Sequence, residues 1–113
     1  MKKFRAFNDG VALVGDIKSD STFRGPSNPT KIDDFDIKFS ICFDEMSKRE
    51  QDVEMIHALN NELNLKIKTP MCNLIKPTSC LIINNFYYQI VHMDSSKQTD
   101  ELYLYLQEVR ELE

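Results

Sequence analysis

The run from Phe35 to Asp44 alternates without a break. Phe35, Ile37, Phe39, Ile41 and Phe43 are apolar, and Asp36, Lys38, Ser40, Cys42 and Asp44 stand between them. Successive side chains of a β-strand point to opposite faces, so such a run packs one face and wets the other. A strand of a parallel sheet, covered on both sides, is apolar throughout, so this one belongs to an antiparallel sheet. That sheet needs further strands, and the chain supplies them. Val11 to Ile17 reads as a first strand, with Gly10 marking a turn and Gly15 a bulge or bend. Leu63, Leu65 and Ile67 alternate with Asn64, Lys66 and Lys68 until Pro70 ends the strand.

The densest β-pattern is Leu81-Ile82-Ile83-Asn84-Asn85-Phe86-Tyr87-Tyr88-Gln89-Ile90-Val91-His92-Met93-Asp94, followed after a polar loop by Leu102-Tyr103-Leu104-Tyr105-Leu106. Asn84-Asn85 tolerates the positive φ that a two-residue hairpin turn requires. Counting by twos puts Phe86, Tyr88, Ile90 and His92 on one face, and Leu102, Leu104 and Leu106 on one face of the last strand. The tail from Val109 to Glu113 reads as the fraying end of that strand.

Between the second and third strands the period changes. Ser47-Lys48-Arg49-Glu50 has the form of a capping box, and Val53, Ile56, Leu59 and Leu63 follow at helical spacing, widened by Met55 and Ala58. This predicts a helix over residues 48–60 with a stop at Asn60-Asn61, its apolar stripe packed on the sheet. Residues 19–34 form a long loop, rich in Ser, Gly, Pro and Asn at its start, and residues 71–79 are irregular, with Pro77 barring a central strand. The fold class is therefore mainly β: a small antiparallel barrel or sandwich of about six strands with one helix, which shelters both core and strand edges.

At 113 residues the chain, 1–113, is one domain. No apolar run approaches the roughly 20 residues that span a bilayer, and Asn8-Asp9-Gly10 stands where a signal peptide would need an apolar core. This points to a protein made in a cytoplasm, with no membrane partner. Cys42, Cys72 and Cys80 are odd in number and form no CxxC, which fits reduced thiols, with Cys42 expected to pack within its strand. The formal charge of −4 argues against a general nucleic-acid binder. The charge is uneven: through Lys31 there are six basic and three acidic residues, +3, which leaves −7 for the remainder. Solvated faces account for this, and so does a bipolar particle stacked between two different partners.

The chain makes no positive case for an enzyme. His57 lies in the helical segment and His92 in a strand, neither with a flanking nucleophile motif, and no cysteine sits in a known catalytic setting. Asp33-Asp34 with Asp36, and His92 with Asp94, match no metal-binding spacing and read as solvated carboxylates, so no metal or cofactor is expected. Tyr87, Tyr103 and Tyr105 are a conceivable stacking platform for bases. They lack interleaved basic residues, and a sheet face or protein interface fits them better.

At the hairpin and last strand the chain resembles the head-completion proteins of long-tailed bacteriophages, also called head–tail joining, head-closure or stopper proteins. The likeness rests on Ile82 to Asp94 and on Glu101-Leu102-Tyr103-Leu104-Tyr105-Leu106-Gln107-Glu108-Val109. There a strand, a short Asn turn, an aromatic-Tyr-x-Ile strand, a polar loop and a final strand follow in the family's order. The start, Phe7-Asn8-Asp9-Gly10-Val11, is like that of some Gram-positive phage members. The chain lacks the Trp common in the strand before the helix, where Phe39 or Phe43 stands.

The resemblance implies a small β-barrel that assembles as a ring, commonly a dodecamer, in the virion. It would sit below the portal or its adaptor, close the DNA exit channel, contact the DNA there, and offer a docking surface to a tail completion protein. Under this reading Phe23, Arg24 and Lys31 of the long loop are candidates for contact with the channel or a neighbouring subunit. Met71, Leu74 and Ile75 form a second candidate contact segment, since they would otherwise be exposed. The competing reading is a small-barrel binding module for a peptide or a single-stranded nucleic acid.

Overall fold

A computed structural model describes residues 9–18 and 29–113. Its elements are β1 (Gly10–Ile17), β2 (Phe35–Met46), α1 (Glu50–Ala58), β3 (Leu65–Pro70), β4 (Cys80–Ile83), β5 (Phe86–Ser96) and β6 (Glu101–Glu111). A 3₁₀ turn, Ile32–Asp34, leads into β2. The strands pair antiparallel in the order β1-β2-β3-β6-β5-β4, and β4 pairs back on β1 to close a barrel. Among the described residues no helix is long and apolar enough to cross a membrane.

The local signals hold where local chemistry decides. Asn84 and Asn85 have φ of 50° and 69°, the two positive values a type I′ hairpin turn needs. Asn60 has φ of 61° and ends the helix. The Asn61 N–H donates to the Ile56 carbonyl (3.1 Å) and the Asn60 N–H to the His57 carbonyl (2.9 Å), a Schellman closure with Asn in place of Gly.

Helix α1 is shorter than the spacing predicts. Its N-cap is Arg49, whose N–H donates to Oδ2 of Asp52 at 3.2 Å, so the carboxylate that reaches back is Asp52 and not Glu50. The apolar stripe is also narrower. Ile56, Val53 and Met55 pack with Leu63, Val91, Tyr103 and Tyr105 on the outer barrel wall, while Leu59, beside the helix stop, is 54% exposed and Ala58 is exposed too.

Bulges decide which residues enter the barrel. Between β1 and β2 the register passes from Val14↔Phe39 to Gly15↔Ile37, leaving Lys38 as the extra residue. A Cβ at Gly15 would lie 2.2 Å from the Asp36 carbonyl oxygen, so the bulge demands glycine. The bulge splits the alternation of β2 between two cores. Phe39, Ile41 and Phe43 pack with the interior residues Val14, Leu81, Ile83 and Leu104. Phe35 and Ile37 join an outer cluster with Leu13, Cys80, Ile82, Tyr87 and Leu112.

A second bulge, at Val91, corrects the expected face of β5. Tyr88 and Ile90 pack against the interior, but the register then passes from Ile90↔Leu106 to His92↔Tyr105. Met93 turns in, and His92 meets Tyr105 edge-on, their ring centroids 5.0 Å apart. Leu102, Leu104 and Leu106 share the interior as expected.

Three further expectations are overturned. The tail does not fray: β6 runs to Glu111, and Leu112 is buried in the outer cluster. The Leu112 N–H donates to the Asn85 carbonyl (2.8 Å), and Asn85 Nδ2 donates to the Leu112 carbonyl (2.6 Å). Cys42 is exposed, paired with exposed Val11 of β1, because it sits on the outer side of β2 where, among the described residues, no helix covers the wall. Lys66, on the polar side of its strand, is buried beneath α1.

Candidate functional site

Residues 71–79 leave β3 where Pro70 removes a ladder donor, and return to the barrel at β4. The segment is tied at both ends. The Met71 N–H donates to the Asp100 carbonyl (3.1 Å), and the Lys76 N–H donates to Oγ of Ser79 (2.9 Å). This divides the three apolar candidates. Ile75 is only 5% exposed and packs in the barrel interior, so it plugs the barrel and is not free for contact; an open barrel end needs an apolar stopper. Met71 is half-buried. Leu74 is 69% exposed and overhangs a groove of about 440 Å³ shared with Val14, Gly15, Asp16, Lys38, Phe39 and Lys76.

Of the long-loop candidates, Phe23 and Arg24 lie outside the described residues. Lys31 is exposed, directly before the 3₁₀ turn. Its N–H and that of Thr30 both donate to Oδ2 of Asp34, at 3.1 and 2.8 Å, and these backbone bonds hold the Asp34 carboxyl below its usual range. The Glu113 N–H donates to the Thr30 carbonyl (2.8 Å), so the described end of the loop is bound to the segment that follows β6. The structure thus places Lys31 on a fixed exposed turn and Leu74 on an exposed groove, as separate features.

On the opposite wall, Asp52 of α1 collects charge. Its carboxylate accepts from Arg49 Nε at 3.2 Å and from Lys66 Nζ at 3.0 Å. Lys66 Nζ also lies 5.1 Å and 5.9 Å from the ring centroids of Tyr105 and Tyr103. Burial opposes the charged carboxylate, but the bonds from Arg49 and Lys66 outweigh it and bring its pKa down to about 2. A pocket of about 370 Å³ opens beside this network, between Arg49, Lys66, Asp94, Tyr103 and Tyr105. Sequence reasoning missed it, because nothing in the alternation marks Lys66 as covered. The capping role of Asp52, two positions past Glu50, was the one available signal.

The three tyrosines do not make a common platform. Tyr103 and Tyr105 lie under α1, whereas Tyr87 is buried in the outer cluster against Phe35, ring centroids 4.9 Å apart. The Cys80 thiol donates to the Tyr87 hydroxyl at 3.7 Å, and burial pushes its pKa up, which disfavours the nucleophilic thiolate. Burial likewise pushes the Tyr87 hydroxyl to about 12. His57 is exposed on α1, and His92 meets Tyr105 edge-on. Among the described residues no cluster of His, Cys, Asp and Glu could hold a metal ion. The described residues thus present a groove of mixed polarity under a protruding leucine, and a buried ionic clasp that fixes the helix.

The chain matches no protein-family model, and no curated protein resembles it significantly in sequence.

Proposed function

We propose that the protein is a structural connector subunit of a phage or prophage virion. It forms a ring below the portal or its adaptor, closes the DNA exit channel and presents the tail-docking surface. The observation that supports this reading is the closed six-strand barrel with a single helix between β2 and β3, the architecture that the resemblance at the hairpin and last strand implies. The groove under Leu74 supplies a subunit-contact surface, and Lys31, at the fixed end of the long loop, supplies a charge for the channel. The protein would be made in the host cytoplasm and reside at the head–tail interface. It does no chemistry of its own.

DNA retention tests the reading. Heads that have packaged DNA but lack this component should lose it on dilution. Addition of the purified chain should protect the DNA from nuclease. Unchanged nuclease sensitivity with folded protein would reject the proposal and favour a small-barrel module that binds a peptide or single-stranded nucleic acid.

A further inference from the structure

The barrel closes through a narrow seam. β3 pairs with β2 at Asp44, Glu45 and Met46, and no described strand pairs with that edge of β2 over residues 35–43. Continued in register, Thr69 would face Phe43 and Pro70 would face Cys42; Pro70 has no N–H to give, and the strands part there. The interior side chains Phe39 and Ile41, and Ile37 on the outer side, are correspondingly only half-buried. The Lys18 N–H donates to the Asp34 carbonyl at 2.9 Å. Antiparallel ladders alternate, so Asp36, two residues on, also turns its peptide groups to β1. Ile37 therefore turns its N–H and C=O to the open edge.

We propose that this edge pairs with the same edge of a second copy of the chain, antiparallel across a two-fold axis at Ile37. The sequence around Ile37 is complementary to itself in that register. Asp36 falls opposite Lys38 of the second copy, and Lys38 opposite its Asp36, all four exposed; the bulge at Lys38 turns Phe35 and Phe39 to different faces, so the complementary stretch is Asp36-Ile37-Lys38. Ile37 exchanges two backbone hydrogen bonds with its own counterpart. The Asp36–Lys38 ion pair already present within one chain becomes part of an alternating set of four charges. Opposite charges directly across a ladder stabilise it and like charges destabilise it. A shift of one residue would set Asp36 against Ile37, which fixes the register. The contact closes at two copies, whereas a ring grows head to tail, so it does not depend on the connector reading.

Sedimentation equilibrium of the full chain tests the proposal. It should show a reversible monomer–dimer equilibrium. D36K, which sets lysine against lysine twice, should weaken it about tenfold or more, and the swap D36K/K38D should restore it. Protection of the Ile37 amide from hydrogen exchange in the unaltered chain should rise with protein concentration, a readout that needs no variant to fold. A chain that stays monomeric at every concentration overturns the proposal. So does a dimer indifferent to D36K, or one whose formation leaves Ile37 exchange unchanged.

Discussion

The ammonium of Lys66 sits 3.0 Å from the carboxylate of Asp52, and both side chains are almost wholly removed from water. One comes from β3 and the other from the first turn of α1, so the pair clasps the helix to the barrel wall above Tyr103 and Tyr105. A buried pair of this kind is costly to halve and cheap to replace as a unit.

Asp52→Ala should therefore destabilise the fold by about 3–5 kcal/mol, since it strands the Lys66 charge and removes the helix cap. The double variant Asp52→Leu/Lys66→Met should regain most of that loss. Urea unfolding of Asp52→Leu, Lys66→Met and the double variant closes the cycle. Additive losses would mean that the two residues are not coupled.

Acid should act on the same clasp. The Asp52 carboxyl lies at about 2 in the folded chain against an ordinary value of 3.8, so its contribution is complete above the ordinary value and vanishes as pH falls through the folded one. The loss is on the order of 2 kcal/mol between about pH 4 and pH 2. Chemical unfolding across that window should show a shallower decline in Asp52→Asn than in the unaltered protein.

Gly15→Ala should cost about 1–3 kcal/mol, because the new methyl would lie 2.2 Å from the Asp36 carbonyl oxygen and 2.8 Å from the Ile37 Cα, backbone atoms that move only with the strand. A thermal melt unchanged by this substitution would contradict the β1–β2 bulge.

Leu112→Ala should cost about 2–4 kcal/mol. That loss follows from its burial beside Phe35 and Tyr87. Comparison of unfolding midpoints with a variant at Glu113 separates burial from mere truncation.

The strand pattern, the Asn84-Asn85 turn and the Asn60 stop were legible in the sequence because each depends on a few adjacent residues. The faces were not. Gly15 announced a bulge, but only the register shows that Lys38 is the residue looped out and that β2 consequently serves two cores. Nothing near His92 marks Val91 as a bulge. Lys66 read as solvent-facing because its cover, α1, is laid on by tertiary packing. Ile75 read as exposed because an irregular segment gives no sign that it plugs a barrel. Leu74, its neighbour, is the one that is exposed.

Leu74→Arg should separate folding from contact. The side chain is 69% exposed, so stability should change by less than about 0.5 kcal/mol, whereas protection of packaged DNA should fall.

The most direct measurement is electron cryomicroscopy of the portal vertex of DNA-filled heads completed with this protein. The connector account predicts a closed ring of six-strand barrels below the portal or its adaptor, with DNA retained behind it. Heads whose vertex carries no added density, in the presence of folded protein, would contradict it.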